Sequence, residues 1–319
     1  MILQTGMRTD IPAFYSEWFM NRMKEGFVYV RNPYNPVQVT KYRIDPNVVD
    51  LIGFCTKNPA PMLPLLERGS SDEQAAMLLD ASYWFVTITP YGKEIEPHVP
   101  DKEKVMDDFI RLSKLVGADA VAWRYDPIFI SETYTLERHV EDFAHMAEKL
   151  AGYTHSCVIS FLDLYEKTKR NFPEGRRVTR EERLFLGKEI IRIGKKYDMT
   201  IRPCAEGKEL SVYGADCSGC VTQSIYEKAI GGRLVIPKSV KSQRAECACV
   251  FGRDIGQYNS CGHLCKYCYA NADRELVLRN IRMHDPTSPF LIGKQQADDV
   301  IHQAEQRKWR DEQLSIFDL

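Results

Sequence analysis

The sequence predicts an α/β protein: a TIM-like (β/α) barrel, closed or partial, with a C-terminal cysteine-rich metal-binding segment. Three observations lead there. Short apolar, β-branched runs alternate with amphipathic helical stretches over about 200 residues. Nearly every run ends in polar or ionisable residues. Eight of the ten cysteines fall between positions 204 and 268.

The candidate strands are residues 2–3, 48–54, 83–89, 118–123, 157–161 and 199–203. They are short and apolar on both faces, as in a buried parallel sheet. The helical stretches between them are 11–24, 72–79, 102–115, 136–150 and 179–196, the last opened by a capping box of Thr179 and Glu182. In a barrel the C-terminal strand ends converge on one mouth, where barrel enzymes keep their active sites. Here those ends carry Arg8, Thr9 and Asp10, then Thr56, Lys57 and Asn58, then Thr87 and Thr89. Arg124, Tyr125 and Asp126 follow, then Ser160 and Asp163, and last Cys204 and Glu206. Arg8, Asp10, Lys57, Asn58, Arg124, Asp126, Asp163 and Glu206 are the candidate pocket residues. Prolines at RTDIP, TKNP and RYDP bias the preceding residue to extended geometry and hold Asp10, Asn58 and Asp126 at the strand tips.

Residues 1–206 are thus the barrel body. From 207 to 285 glycines and cysteines crowd in, regular periodicity fades, and the segment reads as a cluster-binding piece that completes the barrel. It contains a candidate last strand at 233–236 and a helix at 273–283. Residues 286–319 are expected to form a polar helix, at 295–310, and a tail ending QLSIFDL.

The composition bounds the function. Apolar and charged fractions of 44% and 27% are those of a globular protein. No apolar run approaches the length of a membrane span and no signal pattern opens the chain, so a cytoplasmic protein with no membrane partner is expected. A net charge of −1 gives no global case for nucleic acid. The local basic stretches, Arg176, Arg177 and Arg180 and then Lys238, Lys241 and Arg244, are ordinary solvated surface. In a reducing compartment the crowded cysteines point to metal rather than disulfides. Cys55 and Cys157 lie in apolar strands as small buried hydrophobes.

Cys261, Cys265 and Cys268 form a motif with three and then two intervening residues. Three thiolates on one short loop can hold three irons of a [4Fe–4S] cube and leave the fourth open to chelate a substrate. The spacing, with an aromatic residue (Tyr267) before the third cysteine, resembles that of the radical S-adenosylmethionine (SAM) superfamily. That resemblance implies reductive SAM cleavage to a 5′-deoxyadenosyl radical, fed by a reductase or a flavodoxin- or ferredoxin-type donor. Tyr267 joins the SAM or substrate pocket on this view. Zinc is the alternative, with Cys247, Cys249 or His263 completing a tetrahedral set. The stretch YNSCGHLCKYCYAN is also similar to the cluster loop of spore photoproduct lyase and its relatives, radical enzymes that repair DNA.

The chain as a whole resembles one family of unknown function, DUF1848. The resemblance is carried by RTDIPAFYSEWFMNR, VRNPYNP, TKNPAPM, TPYGKEIEPHVPDKE, WRYDPI, AGYTHSCVISFLDLY, CACV, and YNSCGHLCKYCYAN followed by HDP, across residues 8–286. The family is described as carrying a radical-SAM-like cysteine cluster at its C-terminal rather than its N-terminal end. Residues 2–7 and Cys55 depart from the pattern expected. A loop after the last barrel strand would still reach the same mouth, because that strand neighbours the first.

Five cysteines remain, enough for a second [4Fe–4S] cluster or a zinc site. The resemblance favours Cys204, Cys217, Cys247 and Cys249, with Cys220 a substitute. In the tail, Gln313, Leu314, Ile316 and Phe317 match the peptide with which bacterial replication and repair proteins grip the sliding clamp. Two functions follow as expectations. One is a radical SAM enzyme of undetermined reaction, acting on DNA or nucleotides through the clamp. The other is a non-catalytic zinc- or cluster-stabilised binding module of DNA-processing machinery. The catalytic acid or base is not legible.

Overall fold

The structure, a computed structural model, describes residues 1–237, 240 and 249–311. Ten strands and ten α-helices form among them. The strands are β1 (Ile2–Gln4), β2 (Phe27–Arg31), β3 (Gln38–Arg43), β4 (Leu51–Thr56), β5 (Ser82–Thr87), β6 (Val121–Ile128), β7 (Ser156–Phe161), β8 (Thr200–Pro203), β9 (Arg253–Asp254) and β10 (Val300–Gln303). The helices are α1 (Ile11–Phe14), α2 (Ser16–Glu25), α3 (Leu63–Leu66), α4 (Glu73–Asp80), α5 (Lys102–Val116), α6 (Leu136–Leu150), α7 (Glu166–Asn171), α8 (Arg180–Lys196), α9 (Gln223–Ile230) and α10 (Arg274–Arg282).

Seven strands form one parallel sheet in the order β8-β7-β6-β5-β4-β1-β9. From β4 to β8 the strands follow the chain in one direction, without the reversal that marks a doubly wound sheet. All six residues of β5 are buried, because neighbours and helices cover both its faces. Aromatic rings fill the space: Phe54 stacks on Trp84 with centroids 3.9 Å apart, and Trp123 on Phe143 at 4.6 Å. The expected capping box is present, with Thr179 accepting from the Glu182 amide and Glu182 reaching back to Thr179. Gly194 lets α8 lie close on β8, since a Cβ there would come within 2.7 Å of Ile201 Cδ1.

The edge strands β8 and β9 are not paired with each other among the described residues. Irregular backbone lies between them. The Asp216 amide donates to the Ile201 carbonyl on β8 (2.9 Å) and the Val250 amide to Val221 O (2.9 Å). Beyond β9, the Ile255 amide donates to Gln4 O on β1 (2.9 Å).

Three expectations fail. Residues 233–236 are not a strand; Leu234 makes only an isolated bridge with Arg310, and the last strand of the large sheet is the two-residue β9. Residues 295–310 are not a helix. They contain β10, which pairs parallel with β3 in a second sheet of order β10-β3-β2. The whole β2–β3 hairpin was not foreseen. For β10, pairing to the distant edge of β3 overrides local propensity. No helix among the described residues is long and apolar enough to cross a membrane.

Candidate metal centre at the carboxyl edge of the sheet

After β9 the chain runs directly into the loop bearing Cys261, Cys265 and Cys268. Two of its residues, Asn259 and Leu264, take left-handed backbone (φ 58° and 55°), which coils the segment tightly. Groups from several strand ends hold it. Tyr15 donates its hydroxyl to Ser260 O (2.6 Å), and the Lys266 amide donates to Ile95 O (3.0 Å). Thr168 donates to Tyr267 O (3.3 Å), and a ring nitrogen of His98 lies 2.8 Å from Gly262 O. Gly262 permits a close approach, since a Cβ there would come within 2.8 Å of the Phe14 ring. Within the loop, Asn271 Nδ2 donates to Cys261 O (3.0 Å) and Asn280 Nδ2 to Asn259 O (3.0 Å). These bonds seat the segment at the carboxyl edge of the sheet as a plug.

Burial pushes all three thiols above the ordinary cysteine value, and mutual repulsion adds to this at Cys261 and Cys265. Lys57 pulls Cys265 and Cys268 the other way, and Lys167 does so for Cys268. Such thiols need a cation before they ionise. No group of three or more His, Cys, Asp or Glu side chains among the described residues is gathered round a single ion. A cubane cluster asks for a wider set than one ion does, because each cysteine binds a different iron. Three half-buried thiols carried on one short loop are compatible with that requirement.

Below the loop is a buried polar hub that the sequence did not single out. Glu96, with its side chain fully buried, accepts from Lys57 Nζ (2.7 Å), Thr89 Oγ1 (2.8 Å), Lys102 Nζ and the Tyr267 hydroxyl. Burial alone would raise the Glu96 carboxyl, but the two ammonium groups outweigh it and hold it at about 2. Lys102 is lowered, by burial first, whereas Glu96 and Cys265 outweigh burial at Lys57 and raise it. Glu96 is thus the counter-ion of both lysines, and with two ammonium groups to one carboxylate the hub carries a surplus positive charge beside Cys265.

The predicted pocket residues divide. Asp10 caps α1 through the Ala13 amide (3.0 Å), accepts from the Lys57 amide (2.7 Å), and lies 2.9 Å from His263 Nε2. It thus ties the ends of β1 and β4 to the cysteine loop. Lys57 and Tyr267 meet at the hub. Asn58 shapes the turn after β4 by accepting from the Ala60 amide (3.3 Å). Arg8 pairs with Asp254 on β9. Arg124 and Asp126 pair with each other, Ser160 donates to Asp126, and the Asp126–Pro127 bond is cis. Glu206 accepts from the Phe161 amide (2.9 Å) and Arg183 (3.3 Å), and burial raises its carboxyl. Asp163 accepts from the Tyr165 hydroxyl (3.4 Å) at the exposed rim.

A second thiol group gathers at the end of β8. Cys220 Sγ lies 3.2 Å from Cys249 Sγ and 3.9 Å from Cys204 Sγ, and the Cys220 amide points at Cys249 Sγ (3.2 Å). Cys204, Cys217, Cys220 and Cys249 all line one small enclosed cavity with Glu206. Among the described cysteines, Cys220 is the one in reach of both Cys204 and Cys249. Cys247 lies outside the described residues, as do Gln313, Leu314, Ile316 and Phe317. Arg124 acts electrostatically on Cys204 and Cys220 and stands on that side of the mouth. Cys157 is fully buried, as expected. Cys55 is only half-buried, and its thiol lies among Arg124, Asp10 and Asp126 rather than in a purely apolar setting.

The family model for a domain of unknown function, DUF1848, matches residues 2–270. The chain belongs to the DUF1848 family. Both thiol groups fall inside the matched span, whereas β10 lies beyond it. No curated protein matches, and no solved structure does.

Proposed function

We propose that this DUF1848 protein is a radical SAM enzyme whose cluster is held by Cys261, Cys265 and Cys268. The observation that carries this is the three-thiol loop itself, plugged onto the carboxyl edge of a parallel sheet wound in one direction. Loaded there, a [4Fe–4S] cluster would offer an open iron to the methionine end of SAM and one electron, from a ferredoxin- or flavodoxin-type donor, to split its C5′–S bond into methionine and a 5′-deoxyadenosyl radical.

The chain's own groups suit that role. Asp10, His263 and Tyr15 fix the loop against the body of the fold. The surplus positive charge at Lys57, Lys102 and Glu96 offsets thiolate charge at Cys265. We further propose that the sheet is a partial barrel, with residues 215–221 and 249–252 filling the gap between β8 and β9. Cys204, Cys217, Cys220 and Cys249 would hold a second [4Fe–4S] cluster or a zinc ion. Recruitment to DNA by the sliding clamp is a separate proposal that rests on the sequence of residues 313–317.

Anaerobic reconstitution with iron and sulfide tests the main proposal. The protein should turn brown, show the paramagnetic resonance of a reduced [4Fe–4S] cluster, and release 5′-deoxyadenosine from SAM under dithionite. Colourless protein holding stoichiometric zinc and releasing none would favour the non-catalytic binding module.

A further inference from the structure

Beside the cysteine loop opens a groove of about 730 Å³, within the size range of small-molecule sites. Its lining is unusual in carrying four tyrosines: Tyr34, Tyr165, Tyr258 and Tyr269. Tyr34 is 90% exposed, and Tyr165 and Tyr269 are exposed as well, with ring centroids 6.0 Å apart. Tyr258 lies between two cations: Arg8 is 5.8 Å from its ring centre and Lys167 Nζ is 5.3 Å. Exposed aromatic faces on a monomer's surface are unfavourable unless something covers them.

The charge indicates what does. Lys167 has no carboxylate partner among the described residues. Arg8 commits Nε and Nη2 to Asp254, which leaves Nη1 for a ligand. The rim acid Glu166 is already paired with Lys169. The groove therefore offers flat π-faces and, at Lys167, a cation that no carboxylate offsets among the described residues, which is complementary to a planar, anionic molecule. Its inner end adjoins the cluster loop, since Tyr258, Asn259 and Tyr269 line it and Tyr269 follows Cys268 directly.

We infer that this groove binds a nucleoside phosphate, its base laid against the tyrosines and its phosphate held by Lys167 and Arg8. Stacking tolerates every base, so a short single strand would bind by the same contacts. This deepens the proposed function by naming a substrate class for the same mouth, and it rests on that reading only for what happens after binding. SAM is disfavoured as the occupant, because its sulfonium and ammonium groups would face the cations.

The test is a fluorescence-anisotropy titration of the full chain with a fluorescein-labelled thymidine pentanucleotide. Unlabelled thymidine monophosphate should displace the probe, and equal concentrations of inorganic phosphate or SAM should not. Tyr258→Ala should weaken binding about tenfold while Tyr258→Phe retains it, since the ring and not the hydroxyl is used. Lys167→Ala should weaken it and flatten its salt dependence. Absence of binding, displacement by phosphate alone, displacement by SAM, or indifference to both Tyr258→Ala and Lys167→Ala would each overturn the inference. Repeating the titration with Cys261→Ala separates the two proposals: binding that persists in a chain unable to cleave SAM supports the groove whatever the fate of the cluster.

Discussion

The two thiol groups are built in opposite ways. Cys261, Cys265 and Cys268 come from eight consecutive residues, and the fold's task is to pin that loop in place, which Asp10, Tyr15, His98 and Thr168 do from the segments that follow β1, β5 and β7. Cys204, Cys217, Cys220 and Cys249 come from β8 and from irregular backbone on either side of α9, and the fold itself must assemble them. A local motif keeps its ligands together even when its anchors weaken. A dispersed one depends on the packing that surrounds it, and Cys220 and Cys249 are part of the hydrophobic core.

That contrast can be broken most severely at the loop. Cys261→Ala, Cys265→Ala or Cys268→Ala should abolish SAM cleavage and remove one cluster's worth of iron, with little change in melting temperature. Retained cleavage in all three would refute the assignment. Cys220→Ala should do the reverse: metal is lost from the second site, the loop cluster's resonance persists, and stability falls because a core position is altered. Equal losses of both metals would show that the groups are not independent.

Glu96→Gln comes next. It leaves two buried ammonium groups without their counter-charge and should cost roughly 3–5 kcal/mol in denaturant unfolding. The sign with pH follows from the lowered carboxyl. Its folded value, about 2, lies below the ordinary 4.5, so its stabilisation is present above pH 4.5 and is lost as pH falls toward 2. The wild-type chain should lose stability through that window, and Glu96→Gln should flatten the loss. Asp10→Asn, which sets an amide against one of three donors, should cost about 1–3 kcal/mol and loosen the loop, seen as faster amide exchange at 259–271. The smallest effect belongs beside the second group: Arg183→Gln removes a partly exposed partner of Glu206 and should cost less than about 1 kcal/mol.

The same division explains what was legible in the sequence. Alternating apolar and helical periodicity predicted the parallel strands, and the Thr179–Glu182 pair predicted the start of α8, because those signals are local. The 261–268 spacing was local too. Glu96 was invisible as a hub, because its partners Lys57, Lys102 and Tyr267 are joined only by the fold. β10 escaped because it is four residues long and exposed, with Val300 and Ile301 standing alone in a polar stretch, and only the edge of β3 makes it a strand. The two polar residues of β9 carry no periodicity at all. The tyrosine groove combines residues near 8, 34, 165 and 258 that no spacing connects.

The bond between Asp10 and His263 spans 253 positions of chain, and β1 waits as long for β9 as its second neighbour. While the polypeptide is being synthesised, β4 through β8 can pair in turn as they emerge, each with a strand already present. The first strand keeps an open flank until residues 253–254 have been made, and the cysteine loop follows directly, onto a wall already standing but ahead of α10 and β10. The loop's anchors at Asp10, Tyr15, His98 and Thr168 are thus all in place before the loop itself is made, so it docks onto a preformed surface instead of nucleating one.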